Sequence, residues 1–196
     1  IANGIDRPQV ENHDDYERTP GPARLFFLGN GNFPWHGVDK ICQLARHLPD
    51  AKFDIVGDPT INDCPPNVIR HGPLPKNSYL ELLHQADIAI GPLSLHTKAL
   101  TEASPLKIRE YLSCGIPTIV AYNDTDISAS TPLTLHIPNT ADNVSTSLAA
   151  ITSFIESAKG KRIAWETVSD LDAERKESQR LEFFGSCLTN NVRCAA

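Results

Sequence analysis

Two glutamates beside a predicted helix start carry the groups in this chain that could do chemistry. Glu102 and Glu110 are separated by seven residues. Glu102 precedes the helix, where backbone N–H groups carry positive partial charge and can hold a phosphate group. Carboxylates beside such a site can accept hydrogen bonds from sugar hydroxyls. The stretch indicates a site for a phosphorylated sugar; the alternative is an ordinary surface αβ unit with two solvated glutamates.

The helix between these carboxylates is predicted by its boundary residues. Ser104 suits the N-cap, Pro105 suits the first helical position because it has no N–H to leave unpaired, and Gly115 suits a left-handed C-cap. We therefore expect a helix of about three turns. It places Lys107 and Glu110 on one face. The apolar face consists of Ile108, Tyr111 and Leu112.

The spacing of the glutamates resembles the E-x7-E motif of retaining glycosyltransferases of the GT-B fold, family 4 in particular. In that family the second glutamate is followed by a small residue, glycine, any residue and proline, as in LSCGIP at residues 112–117. NGID at residues 3–6 resembles the tetrapeptide at which these enzymes pass from the N-terminal to the C-terminal domain, although alone it indicates only a turn. The resemblance implies the C-terminal, donor-binding domain of such an enzyme.

The loop after the first predicted strand departs from the family pattern. Glycines such as Gly29 let a backbone approach a phosphate closely. In family 4 enzymes this loop contains an arginine, and a lysine followed by glycine, and the two cations clamp the donor diphosphate. The matching residues here are Asn30, which carries no charge, and His36, which is only partly protonated at neutral pH and is followed by Gly37.

Three hypotheses follow from this departure. His36 binds the diphosphate, or Lys98 or Lys107 supplies the cation instead, or donor binding has been lost. Lys98 belongs to a long loop, residues 91–102, that resembles the family segment before the first glutamate. The family's Gly-Phe-Gly after that glutamate is replaced here by Ala103, Ser104 and a proline, so the backbone N–H donors of Ala103 and Ser104 remain available.

The resemblance also implies a role for each glutamate. Glu102 matches the family residue that contacts donor-sugar hydroxyls near the reaction centre, and we take it as the catalytic residue. Glu110 matches the residue that holds the ribose hydroxyls of the nucleotide. The nucleoside is expected to rest against the loops that contain Gly57, His71, Gly72 and Leu74.

Composition excludes several classes of protein. The net charge of -6 and pI near 5.6 argue against a surface for nucleic acid or anionic membranes. No apolar run approaches the length of a membrane span, and no signal peptide opens the chain. The five cysteines show no metal-ligand spacing, so we expect reduced thiols and a cytoplasmic location. No carboxylate cluster calls for a metal, and we expect no cofactor beyond the donor substrate.

The pattern of apolar runs predicts an α/β fold: a Rossmann-like parallel sheet with helices on both faces, one half of a GT-B fold. Strands are predicted at 25–28, 53–56, 67–69, 87–90, 118–122 and 134–137, and further helices at 35–48, 77–86, 142–158 and 162–184. Residues 1–22 form an interdomain linker or domain start, and residues 23–196 form the nucleotide-sugar-binding domain with its C-terminal helices. The absence of Met and the start at Ile1 indicate a piece of a longer protein.

The resemblance implies transfer of a hexosyl group from a nucleotide diphosphate sugar, with retention at the anomeric carbon. The expected partners of the chain are the sugar-nucleotide donor and a missing N-terminal domain, without which we expect the chain to be inactive. Polysaccharide biosynthesis is the expected setting. Three alternatives stay open: a degenerate GT-B interaction module, half of a sugar-nucleotide epimerase, and a flavodoxin-like or receiver-type module. The last would need an acidic cluster after its first strand, and residues 29–35 contain none.

Overall fold

Short runs of buried apolar residues form a six-stranded parallel sheet at the centre of the molecule. The computed structural model describes residues 1–6, 21–29, 32–57 and 63–193. The strands are β1 Arg24–Leu28, β2 Lys52–Val56, β3 Val68–Gly72, β4 Ile88–Ile90, β6 Thr118–Val120 and β8 Thr134–His136, in the order β3-β2-β1-β4-β6-β8. Two further strands, β5 Glu102–Ala103 and β7 Asn123–Asp124, pair in parallel as a separate small sheet.

The helices largely follow the predicted segments. They are α1 Val38–His47, α2 Lys76–His84, α3 Leu106–Ser113, α4 Asn143–Thr146, α5 Leu148–Ala158 and α6 Ala173–Arg193, with 3-10 turns at Pro34–His36, Leu95–Lys98 and Trp165–Leu171. The predicted helix at 35–48 is interrupted because Gly37 has φ 72°, a left-handed conformation that ends the 3-10 turn and starts α1. The predicted helix at 162–184 is likewise a 3-10 segment followed by α6.

Alternate residues of β1 belong to two different cores. Leu25 and Phe27 pack with α1 and α5 on one face of the sheet, whereas Phe26 packs with α2 and α3 on the other. All three side chains are at most 1% exposed. Both faces are therefore covered by helices, which confirms the predicted Rossmann-like fold class.

The boundaries of α3 differ slightly from the prediction. Pro105 occupies the N-cap position and the helix begins at Leu106, so the assignment of Ser104 as N-cap is wrong. The Ser104 hydroxyl instead accepts a hydrogen bond from the backbone N–H of Asn3 at 3.4 Å. Gly115 has φ 73°, and the N–H of Ile116 bonds back to the carbonyl of Tyr111, which confirms the predicted glycine C-cap.

The first six residues pack against the C-terminal part of the chain. The N–H of Ile5 donates to the Leu171 carbonyl at 2.8 Å, and the N–H of Ala173 donates to the Ile5 carbonyl at 3.1 Å. Arg180 donates to the carbonyl of Ala2 at 2.7 Å. Most of the predicted linker lies outside the described residues, so the division at residue 22 stays a prediction.

Cys42 on α1 and Cys64 before β3 are joined by a disulfide, with their Cα atoms 5.3 Å apart. The expectation that the thiols are all reduced is wrong for this pair. The two residues are 22 positions apart in sequence, and only the packing of α1 beside the β2–β3 connection brings them together. Cys114 is a buried free thiol and Cys187 an exposed one.

Tyr122 allows a test of how a buried, unpaired hydroxyl affects the stability of the core. Its side chain is 3% exposed, and its hydroxyl has no hydrogen-bond partner among the described residues. Burying an unpaired hydroxyl is unfavourable, so we expect Tyr122→Phe to raise the free energy of unfolding by about 1 kcal/mol. Urea unfolding followed by circular dichroism measures this change, and a loss of about 1 kcal/mol or more would contradict it.

None of the helices within the described ranges has both the length and the hydropathy that a bilayer crossing requires.

Candidate functional site

The sheet order places the candidate site between the loops that follow β1 and β4. From β1 the chain continues to β2 on one side, whereas β4 lies on the other side of β1. Such a reversal opens a crevice at the carboxyl ends of the two strands, where ligands of open α/β sheets bind. Backbone bonds from Leu93 and Ser94 to the carbonyls of His36 and Trp35, both 3.2 Å, fix one loop against the other.

Lys107 and His36 form a pair in this crevice. The Lys107 Nζ lies 3.4 Å from the His36 Nε2 and 4.9 Å from the centre of the Phe27 ring. Burial lowers the pKa of Lys107 to about 8. The ammonium group is therefore still protonated at neutral pH, but it is poorly hydrated and would gain from a bound anion.

Neighbouring atoms lie too close to Gly29 and Gly37 to leave room for a larger side chain at either position. A Cβ at Gly29 would lie 2.6 Å from the Phe27 ring and 2.9 Å from the His36 Nδ1. A Cβ at Gly37 would lie 2.9 Å from the Ser94 hydroxyl, in addition to the strain of its left-handed φ. Both glycines allow the loop to fold tightly enough to present His36. Asn30 lies outside the described residues.

Lys98 lies in the same loop cluster but is held by an aromatic ring. Its Nζ is 3.3 Å from the centre of the Trp35 ring, a cation–π contact. Trp35 in turn stacks on Phe33 with ring centres 4.6 Å apart. The structure thus brings Lys107 rather than Lys98 next to His36.

Glu102 is exposed at the start of the small sheet, in register with Asn123. Within the described part of the chain, no hydrogen bond or ion pair to its carboxylate is found, so it is available to a ligand. The next residue, Ala103, pairs with Asp124, and Ser104 follows, its carbonyl accepting a bond from the Asn3 side chain at 3.3 Å.

A buried ion-pair network connects α3 to the small sheet that contains Glu102. Arg109, fully buried on α3, donates to both carboxylate oxygens of Asp124 at 2.5 and 2.6 Å. Its second amino group also reaches Asp126 at 3.1 Å, and Lys176 on α6 reaches the same carboxylate at 2.5 Å. Because Asp124 lies in β7, the network ties α3 to the small sheet that contains Glu102.

Glu110 is contacted by two side chains of α2. The Tyr79 hydroxyl lies 3.2 Å from both carboxylate oxygens, and the Lys76 Nζ lies 3.3 Å from one of them. Neither contact could be predicted from the sequence, because residues 31 and 34 positions apart meet only through the packing of α2 on α3. Tyr79 and Lys76 therefore join the candidate site, although the sequence analysis did not identify them.

The predicted nucleoside loops lie at the carboxyl ends of β2 and β3. The N–H of Gly57 donates to the Gly72 carbonyl at 2.9 Å, which joins the two loops. His71 turns its Nε2 to the buried carboxylate of Asp54 at 2.7 Å. Leu74 packs at the margin of the core that contains α2 and α3. These residues lie at the same edge of the sheet as the start of α2, where Lys76 contacts Glu110.

Among the described residues, cavities lie near both the carboxyl and the amino ends of the sheet strands. One, of about 370 Å³, lies beside the crevice and is lined by Phe33, Pro34, Val38, Asp39, Lys40, Ser94, His96, Thr97 and Ala141. Another, of about 330 Å³, lies near the amino ends of β1 and β2. Neither cavity is lined by any of the predicted site residues. Among the described residues, no group of three or more His, Cys, Asp or Glu side chains could hold a metal ion.

The family model described as glycosyl transferase-like matches residues 39–139, just over half of the chain. The match includes Glu102, Lys107 and Glu110. None of the curated proteins matches the chain in sequence.

Solved structures share the fold at low sequence identity. A glycosyltransferase from Rickettsia africae has a TM-score of 0.60 at 14% identity, over 96% of this chain and 56% of that one. Anabaena HepE in complex with UDP has a TM-score of 0.59 at 14% identity, over 93% and 56%. WaaG, a glycosyltransferase involved in lipopolysaccharide biosynthesis, has a TM-score of 0.56 at 17% identity, over 91% and 54%.

The chain covers 54–56% of the length of these three structures, and 37–49% of three others that share the fold with TM-scores of 0.57–0.59. Its family match covers the segment from α1 to just beyond β8, which is the segment that holds both glutamates and Lys107. The chain belongs to the glycosyl transferase-like family, and its parallel sheet with helices on both faces is that of one half of a GT-B glycosyltransferase.

Proposed function

We propose that this chain is the donor-binding domain of a family 4-like retaining glycosyltransferase, the C-terminal half of a GT-B enzyme. It binds a nucleotide diphosphate sugar, from which the whole enzyme transfers a hexosyl group. The observation that carries the proposal is the pairing of Lys107 with His36 at the start of α3. This pair supplies a local cation where the family loop has lost its arginine and lysine.

The diphosphate is placed against this pair and the first turn of α3. No side-chain hydrogen bond caps that turn within the described residues, and the N–H of Ile108 already donates to the Pro105 carbonyl at 3.1 Å. The N–H groups of Leu106 and Lys107 are therefore the ones that can face an anion. The partly desolvated Lys107 ammonium interacts with phosphate more strongly than an exposed lysine does. Together these groups stabilise the charge that develops on the leaving diphosphate during transfer.

The two glutamates bind the rest of the donor. Glu102, exposed in β5, accepts hydrogen bonds from the sugar, and Glu110 accepts them from the ribose. Orientation of the donor is the main contribution of this domain. The acceptor and the remainder of the cleft belong to the N-terminal domain that we propose as partner, so the isolated chain should bind the donor weakly and turn over poorly.

Calorimetric titration of the chain with UDP, GDP, ADP and their hexose conjugates tests the proposal. UDP is the first ligand to try, because HepE, which shares the fold, has been crystallised with UDP and with UDP-glucose. We expect one nucleotide to bind selectively and Glu110→Ala to weaken it by about tenfold, the effect of losing hydrogen bonds to a charged group. Glu156→Ala, a change on the exposed surface of α5, serves as the matched control.

A degenerate GT-B module without catalytic activity is the second candidate. It is favoured by the replacement of the family arginine and lysine with Asn30 and His36. That hypothesis predicts a folded chain that binds none of these nucleotides, alone or with the N-terminal half. Turnover of the donor without any acceptor would instead favour the epimerase hypothesis.

A cytoplasmic location, expected from the cysteine pattern, and a role in polysaccharide biosynthesis, expected from the family resemblance, are also proposed. The Cys42–Cys64 disulfide counts against the first, because disulfides are rare in cytosolic proteins.

A further inference from the structure

The carboxylate of Glu110 is fixed before any ligand arrives. Its side chain is 13% exposed, and both of its oxygens lie 3.2 Å from the Tyr79 hydroxyl. The Lys76 Nζ approaches one oxygen at 3.3 Å from the solvent side, where Lys76 itself is 66% exposed. Two side chains of α2 thus restrict the orientation of a single carboxylate on α3.

Tyr79 is suited to act as a permanent donor in this contact. Burial, together with the nearby Glu110 charge and the hydrogen bond to it, raises the pKa of Tyr79 to about 12. The hydroxyl therefore keeps its proton throughout the neutral range. An ionised carboxylate has about four acceptor positions, so after Tyr79 and Lys76 have bound, positions remain for two further hydroxyl donors.

We propose that Tyr79 is a positioning residue that aims the Glu110 carboxylate at the ribose diol and so makes the site selective for ribonucleotides over 2′-deoxyribonucleotides. The inference rests on the proposed function, because it needs a nucleotide at Glu110. A carboxylate that is already oriented loses less conformational entropy when the diol binds than a freely rotating one. Tyr79 acts through Glu110.

Removal of the Tyr79 hydroxyl separates this role from packing. The ring of Tyr79 packs against the core that contains α2 and α3, and a phenylalanine would keep that contact. Tyr79→Phe therefore removes the hydrogen bonds to Glu110 but not the buried ring. Tyr122→Phe is the matched control, since it removes a buried tyrosine hydroxyl that has no partner among the described residues.

The experiment compares the affinities of the full chain for a ribonucleoside diphosphate, its 2′-deoxy analogue and inorganic pyrophosphate. The ribonucleotide is whichever of UDP, GDP and ADP binds best to the wild-type chain. We expect the wild type to prefer it over the 2′-deoxy form by about tenfold, as for a site whose polar groups are left unpaired by the missing hydroxyl. In Tyr79→Phe this ratio should fall by about threefold or more, while the affinity for pyrophosphate stays unchanged.

The outcomes distinguish the two levels of the proposal. An unchanged ratio in Tyr79→Phe, with a wild type that prefers the ribonucleotide, overturns the role of Tyr79 and leaves the proposed function intact. A wild type that binds no nucleoside diphosphate overturns both. A loss of pyrophosphate affinity equal to the loss of nucleotide affinity would show a general structural effect and also overturn the inference. Tyr122→Phe should keep the wild-type ratio.

Discussion

Replacement of Lys107 by methionine should weaken the binding of the nucleoside diphosphate by about ten- to a hundredfold, the range expected for losing charge-assisted hydrogen bonds. Methionine fills a similar volume beside Phe27 and leaves the fold intact. Because burial lowers the pKa of Lys107, the amine is costly to keep charged in the free protein, so its removal should not reduce stability. Isothermal titration of both proteins with the same nucleotide measures the effect.

The pH dependence of binding gives an independent signature of the same residue. The pKa of Lys107 in the free protein is about 8, and a bound anion would raise it. Affinity for the diphosphate should therefore fall as the pH rises above about 8, by at most tenfold per pH unit, because protonation must then accompany binding. The affinity of the Lys107→Met protein for the diphosphate should not show this fall above a pH of about 8.

Lys52→Met is the control for loss of a positive charge at a distance. Lys52 is exposed at the amino end of β2, on the edge of the sheet away from the crevice. Its replacement should change the affinity by less than about twofold, since exposed charges farther apart than a Debye length are screened. Equal losses of affinity in Lys52→Met and Lys107→Met would contradict a specific contact between Lys107 and the diphosphate.

Among the substitutions proposed here, replacement of Arg109 by methionine should lower the free energy of unfolding most, by about 3–5 kcal/mol. Arg109 and the Asp124 carboxylate are both fully buried, with 0% side-chain exposure. Removing the guanidinium leaves a buried carboxylate without its main partner, and the cost of its desolvation is no longer offset. For a chain of this size we expect the melting temperature to fall on the order of 10 °C.

Arg175→Met makes the same chemical change at the surface. Arg175 pairs with Asp170 while both side chains are more than half exposed, at 56% and 67%. Its loss should cost less than about 0.5 kcal/mol. Denaturant unfolding compares the two variants, and an Arg109→Met protein within about 1 kcal/mol of wild type would contradict the cost of the unpaired buried charge.

The ion pairs of Arg109 should also affect binding of the donor. It joins α3, which contains Lys107 and Glu110, to β7, which pairs with the strand of Glu102. The two glutamates are thereby held in one frame although they lie on different elements. Any Arg109→Met protein that remains folded should therefore also bind the donor more weakly.

Much of the fold could be predicted from the chain because it depends on local pattern. Alternating apolar runs and helical spacings determine a parallel sheet covered on both faces. Gly115 ends α3 for a purely local reason, since only glycine readily adopts the left-handed conformation found there. The positions of Glu102 and Glu110 around the start of α3 follow in the same way.

The contacts that complete the site depended on tertiary structure. Lys107 meets His36 because the strand order places the loops after β1 and β4 side by side, and Tyr79 meets Glu110 because α2 packs on α3. Sequence spacing alone cannot select one such long-range pair from many. The class of fold and the two carboxylates could be predicted from the sequence. The cation and the hydroxyl that accompany them could not, because those pairings arise from burial and helix packing rather than from any local pattern.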